Sequence, residues 1–235
     1  MSLERIREEV ICCRKCPRLV RHRERIALVK TRRFELEDYW GKPVPGFGTG
    51  RARLLVVGLA PAAHGGNRTG RIFTGDRSGD WLFEALHRFG FATSPHSVSR
   101  DDGLRLVGAY ISAVARCAPP DNKPTREETD NCRGYLVREL EALDQVRVVV
   151  ALGRIAFDGF LAAWREHGRE VGRPRPRFSH GSEHRLDPRV TLLGSYHPSQ
   201  QNTFTGKLTR PMFHQVFARA RSLLKGGVAR PGRQR

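Results

Sequence analysis

The sequence predicts an α/β protein whose parallel sheet is covered by helices on both faces. Two patterns carry this. Four short apolar runs, Arg53–Val57, Ala109–Ala115, Val146–Leu152 and Val190–Gly194, alternate with stretches of helical character. The runs are apolar throughout rather than alternating, as strands buried on both faces are. The 235 residues, 39% of them hydrophobic, are enough for a sizeable core without disulfides.

In chain order, residues 1–30 read as helix broken near Pro17, and 31–52, with Pro43, Pro45, Gly46, Gly48 and Gly50, as loop. RLLVV ending in Gly58 is the first strand, and the Gly-rich stretch Ala60–Asp76 follows it. A helix over Ser78–Arg88 closes at Gly90. After the second strand, Ala118–Thr125 (APPDNKPT) is a loop, and Thr125 with Glu128 forms a capping box for a helix to about Leu143. The third strand leads through Gly153 into a helix over Arg154–Trp164. Residues 165–188 read as polar, basic loop. Beyond the fourth strand, Ser195–Gly206 is a loop and Leu208–Leu224 a helix. Residues 1–225 are expected to form one domain, with 1–52 as an N-terminal arm and 226–235 as a basic, disordered tail. In such sheets the chemistry sits in loops at the carboxyl ends of the strands. Here these are Gly58–Asp76, Cys117–Thr125, Gly153–Arg154 and Ser195–Gly206.

Lys and Arg number 42 against 24 Asp and Glu, a formal net charge of +18. Nine basic residues and no acidic one follow Asp187, a one-sidedness that favours a polyanionic partner, nucleic acid above all. Ordinary Arg-rich solubility is the plainer alternative. No apolar stretch approaches the roughly 20 residues of a membrane span. Met1–Val10 is too charged for a secretory signal, so a cytoplasmic location is expected.

In a reducing compartment five cysteines are not a disulfide scaffold. Cys13 and Cys16 form a C-x-x-C pair, Cys117 and Cys132 lie far downstream, and Cys12 is left over. Four thiolates suit a [4Fe–4S] cluster or a structural zinc, and the scattered second pair leaves both open. Buried inert thiols are the alternative.

The loop after the first strand, GLAPAAHGGNRTGRIFTGD, is neither a dinucleotide fingerprint nor a Walker loop. Its glycines permit close approach of a flat or bulky ligand. Together with CAPPDNKPT and SYHPSQQN, it resembles three motifs of the uracil-DNA glycosylase superfamily. The similarity is greatest to family 5, the iron–sulfur type, whose N-terminal cluster motif the leading CRKCPRLVRHRE of this chain also resembles. The resemblance runs from Cys13 to about Leu224. It implies an αβα sandwich around a four-stranded parallel sheet, with the arm tied down by a [4Fe–4S] cluster on Cys13, Cys16, Cys117 and Cys132. It also implies an enzyme that flips deaminated bases (uracil, with hypoxanthine and xanthine as further candidates) out of double- or single-stranded DNA and hydrolyses the N-glycosidic bond. No membrane partner is implied, and a monomer that joins the nucleoid when bound to DNA is expected.

The resemblance also distributes roles. Most branches hold the catalytic water with Asp or Asn at the position of Ala60; family 5 shares the loss seen here. Ala62 and Ile72 are smaller departures, standing where the family usually has Gly and often Pro. Asn122 would then orient water, with Asp76 assisting, while His197 would donate a hydrogen bond to the departing base. Phe73 would stack on that base, with Ala60 and His64 beside it. Gln200, Gln201 and Asn202 would enter the minor groove, and Lys207 and Arg210 would grip phosphates. Each residue has a plainer reading: a turn residue for Asn122, a helix cap for Asp76, a core aromatic for Phe73, a surface histidine for His197, solvated charge for Lys207 and Arg210. A non-catalytic iron–sulfur nucleic-acid binder and an iron–sulfur electron carrier are the alternatives in function.

Overall fold

A computed structural model describes residues 2–226; the basic tail expected beyond Gly226 lies outside them. Strands β2 (Leu54–Gly58), β3 (Ala109–Ala113), β4 (Val148–Leu152) and β6 (Thr191–Ser195) pair in parallel, in the order β3-β2-β4-β6. They match the four apolar runs within two residues at each end. The sheet is larger than the expected four strands. Two antiparallel strands extend it to six: β1 (Phe47–Gly48) on β3 and β5 (Glu183–Arg185) on β6. Both lie in stretches read as loop. A two-residue strand carries no period, and Glu-His-Arg is polar because it forms a sheet edge, where charge discourages further pairing.

The side-chain alternation divides the core in two. Leu54, Val56, Ile111, Val148 and Val150 point into one cluster with helix α4 (Arg77–Arg88) and helix α8 (Arg210–Lys225). Leu55, Val57, Val149, Ala151 and Leu192 point into another with α5 (Arg126–Ala142) and α6 (Arg154–Glu166). All five residues of β2, β3 and β4 are buried, as strands covered on both sides must be. The result is three layers, helix–sheet–helix.

Helix starts follow their caps. Asp76 accepts from the Gly79 N–H at α4, and the capping box of Thr125 and Glu128 opens α5. Two short helices lie inside expected loops: α3 (Gly66–Thr69) and α7 (Gln200–Phe204). One is hidden by flanking glycines; the other has five polar or aromatic residues with no apolar stripe.

The arm comprises α1 (Leu3–Ile11) and α2 (Pro17–Val29), and Pro17 occupies the first turn of α2. Ile6 and Val10 of α1 pack on Tyr135 of α5. Arg18 of α2 forks onto Glu128, with bonds of 2.8 and 2.7 Å. No helix among the described residues is long and apolar enough to cross a membrane.

One ion pair lies inside the layer between sheet and α5. Arg116 and Glu139 are each 1% exposed and 2.6 Å apart, and Ser112 and Tyr110 also donate to the Glu139 carboxylate. Burial and the Glu139 charge raise the Tyr110 phenol well above its ordinary range, so it stays a donor. A buried pair contributes little net stability while intact, but losing one partner strands the other. Glu139→Ala is therefore expected to cost about 3–5 kcal/mol in urea unfolding. A loss under about 1 kcal/mol would show that water or a rearranged partner reaches Arg116.

Candidate active site

The parallel order gathers four loops at one edge of the sheet. His197 follows β6 by two residues and lies beside Gly153, where β4 turns into α6. The Gly153 N–H donates to the Ser195 carbonyl (2.8 Å) and the Asn202 side-chain amide to the His197 carbonyl (2.9 Å). These bonds fix the backbone on both sides of the imidazole.

Phe73 reaches the same place from the loop after β2. Its ring stacks on His197, centroids 5.8 Å apart and planes 29° from parallel. The Phe73 backbone is left-handed, at φ 54°, a conformation costly for a bulky residue. Its ring lies so close to the end of β2 that a Cβ on Gly58 would approach it to 2.6 Å. Gly58 is thus the residue that lets an aromatic ring lie across the strand terminus.

Burial pushes the His197 imidazole down to about 4. The ring is neutral at physiological pH, and no hydrogen bond engages either nitrogen among the described residues. A neutral imidazole can give its N–H to an oxygen that gains charge without repelling a cation formed nearby.

Asp76 caps α4 through the Gly79 N–H at 2.9 Å. Desolvation raises its carboxyl, against the N–H groups of Gly79 and Ser78. Any side chain at Gly65 would collide with the carboxylate, which lies over the loop it closes. The hydrogen bond from the Gly79 N–H gives Asp76 its capping role. Ala60 is half-buried two residues beyond β2 and presents only a methyl group. His64, also half-buried, has Nδ1 3.0 Å from the Tyr39 hydroxyl, and burial, then Arg68, lowers its pKa.

Asn122 ends the turn Pro120–Asn122 and is exposed. It and Asp121 are both left-handed, at φ 55° and 53°. Among the described residues no hydrogen bond joins its amide to His197 or Asp76. Gln200, Gln201 and Lys207 are exposed on and beyond α7, and Asn202 is partly covered. Lys207 Nζ lies over the Tyr196 ring at 5.0 Å. Arg210 pairs with Glu84 and lies over Trp81, so it is less free than the sequence suggests.

Arg68 escaped the sequence reading. It is buried, bonds the His64 and Gly75 carbonyls (2.8 and 3.1 Å), pairs with Glu37, and lies over Phe34 at 4.0 Å. The signal was present: Arg68 and Arg71 are the only charged residues between Gly58 and Asp76.

The cysteines separate as their spacing suggests. Cys16 and Cys117 share a buried cluster with Leu19, and Cys13 packs beside Tyr135. Cys16 lies within electrostatic reach of Cys13, and Cys117 and Cys132 of each other and of Cys13. Cys12 is exposed. No three described His, Cys, Asp or Glu side chains converge on a single-ion site. The four thiols are neighbours, and four cysteines are the donor chemistry that a multi-iron cluster takes. Burial pushes the Cys117 thiol up to about 12 and raises those of Cys16 and Cys132, so as free thiols they hold their protons. Arg23 donates to Cys117 Sγ at 3.1 Å and is buried with its Nε unpaired; Arg116 lies beside Cys132. Buried cations around buried thiols suit thiolates bound to iron.

Comparison with known proteins gives the family of the chain. Residues 45–221 match the family described as "Uracil DNA glycosylase superfamily". A type-5 uracil-DNA glycosylase of Mycobacterium tuberculosis is 53% identical over 212 residues, 90% of this chain and 78% of its own. One from Mycobacterium leprae is 50% identical over 223 residues, 94% of this chain and 96% of its own. One from Thermus thermophilus is 49% identical over 223 residues, 95% and 99% of the two chains.

The low pKa of His197 has a measurable consequence. An unfolded histidine takes a proton below about 6.5, whereas the folded imidazole stays neutral to about 4. Between these values the unfolded state binds more protons, so folding stability falls as the pH drops through this window. His197→Asn is expected to flatten that fall, by up to about 3 kcal/mol at its acid end. Urea midpoints between pH 7 and 4 measure it; parallel curves for the two proteins would place a solvent-exposed imidazole of ordinary pKa at His197.

Proposed function

The chain belongs to the uracil DNA glycosylase superfamily and to its type-5 branch, and from that premise we propose how it removes a damaged base from DNA. It is a monofunctional glycosylase of uracil-excision repair. It takes a uracil-bearing nucleotide out of the helix, water adds to C1′ of the sugar, the C1′–N bond breaks, and the base leaves with the bonding electrons. A proton then neutralises the base, leaving free uracil and an abasic site. The observation that carries the reading is the stacked pair of Phe73 and neutral His197 at the carboxyl edge of the sheet.

In this reading Phe73 offers its outer face to the flipped base, with Ala60 and His64 lining the approach. His197 gives its N–H to a base carbonyl whose negative charge grows as the bond breaks, a contact stronger in the transition state than in the ground state. Ala60 cannot hold the water, so the amide of Asn122 orients it from the loop after β3. An amide takes no proton, and it need not when the sugar already has cationic character. Asp76, raised by desolvation, supports that cation or accepts the proton of the water. Hypoxanthine and xanthine offer a carbonyl to the same donor, so the pocket accepts them as well. Gln200, Gln201 and Asn202 enter the groove beside the vacated base, while Lys207 and Arg210 meet phosphates. Arg210 does so by exchanging its pairing with Glu84. Both duplex and single strands are bound, by a monomer acting on the nucleoid in the cytoplasm.

Cys13, Cys16, Cys117 and Cys132 hold a [4Fe–4S] cluster. When bound it supplies a covalent clip between arm, loop and α5. The Arg18–Glu128 fork and the Arg23–Cys117 contact support the same junction.

Two experiments test this reading. Asn122→Ala should slow single-turnover release of uracil by about two to three orders of magnitude, the usual cost of one positioned group in a dry site, with little change in duplex binding. A near-wild-type rate would move water positioning elsewhere, with His64 the first residue to examine. The purified chain should be brown and contain iron and inorganic sulfide. Alanine at any of the four cysteines should bleach and destabilise it, and Cys12→Ala should do neither. A colourless protein with one zinc would overturn the cluster.

A further inference from the structure

Phe73 keeps a strained backbone, and a buried polar cluster explains how. Arg71 is 3% exposed and Asp102 11%, and they are 2.5 Å apart. The Arg71 Nε also donates to Thr74 Oγ1 (3.0 Å) and its Nη2 to Ser97 Oγ (2.7 Å). Thr74 and Ser97, themselves buried, share a hydrogen bond of 2.6 Å, and the Gly75 N–H donates to the Ser97 carbonyl. The Arg71 guanidinium lies 4.9 Å from the centre of the Phe47 ring. Asp102 accepts in addition from the N–H groups of Val98, Ser99 and Leu104. Burial alone would raise its carboxyl; Arg71 and those N–H groups together hold it down to about 2.

These contacts fix residues 71, 74 and 75, on both sides of Phe73, to Ser97 and Asp102 in a downstream segment. A left-handed phenylalanine persists only where its surroundings over-determine it. We propose that Arg71 is a positioning residue: through Thr74, Ser97 and Asp102 it locks Phe73 in the left-handed conformation that stacks its ring on His197. Resting on the function proposed above, this makes Arg71 a determinant of how the flipped base is held, although it touches no base. Lysine replaces it only in part, because one ammonium lacks the fork that reaches Thr74, Ser97 and Asp102 together.

The test uses the full chain with its metal content intact and has two arms. In the first, the His197 ring-proton NMR resonances report the ring current of Phe73, independently of any activity. Arg71→Met and Asp102→Asn should move them, Arg71→Lys less so. In the second, uracil release under single-turnover conditions should slow roughly tenfold to a hundredfold in Arg71→Met, as a small misplacement at the reacting centre does. Binding of undamaged duplex should stay within about twofold. Arg71→Met added to Phe73→Leu should cost little more than Phe73→Leu alone, because both remove the same contact. Unmoved His197 resonances, or losses that multiply in the double variant, overturn the proposal and leave Arg71 a purely structural residue. If Arg71→Met does not fold, Ser97→Ala, which removes only a neutral hydroxyl, gives the same decision. Wild-type protein that releases no uracil would refute the glycosylase reading while the NMR arm still decides the role of Arg71.

Discussion

Parallel pairing of β2 with both β3 and β4 is the constraint on which the rest depends. Once these strands run in one direction, with Leu54 level with Ala109 and Val148, their carboxyl ends finish at one edge. The loops that leave that edge bring Phe73 and Gly153 to His197. Phe73, Asn122, Gly153 and His197 come from four such loops, separated by up to 124 residues of sequence (197 − 73). A one-residue slip in β2 would exchange its two core faces and withdraw the Gly58 terminus from Phe73.

The loops are held by buried charge as well as by apolar packing, to which Ile72 and Phe73 belong. Arg23, Arg68, Arg71 and Arg116 are all buried, and each is bound to a carbonyl, a carboxylate or a thiol. Such groups are costly to desolvate and add little net stability, but they accept only one arrangement of their partners. That trade suits a site whose chemistry needs rings and donors held to within a fraction of an ångström. It also gives the basic composition a second meaning. Part of the arginine excess is spent inside the molecule, and only the exposed remainder is available to phosphates.

The architecture was legible in the four apolar runs, because a strand buried on both faces must be apolar along its whole length. The capping box at Thr125 and the proline at the start of α2 were legible for similarly local reasons. The edge strands were not: Phe47–Gly48 and Glu183–Arg185 exist only because a longer neighbour offers unpaired N–H and C=O groups. Within the site, Phe73 and His197 were recognised by motif, but their stacking and the neutrality of the imidazole depend on distant partners. The roles of Arg68 and Arg71 were hidden for the same reason, since Glu37, Ser97 and Asp102 lie outside the motif. Asn122 follows the second apolar run as the motif suggests, but its left-handed backbone, which asparagine tolerates better than most residues, was not legible in the sequence.

The proposed mechanism turns on neutral His197, which is to stabilise the charge that develops on the departing base. The most direct measurement compares single-turnover release of uracil and 5-fluorouracil, the better leaving group, by wild-type protein and by His197→Ala. If His197 carries that charge, its removal should penalise uracil clearly more than 5-fluorouracil, because the poorer leaving group depends more on the donor. Equal penalties for the two bases would contradict the account and reduce His197 to a wall of the pocket.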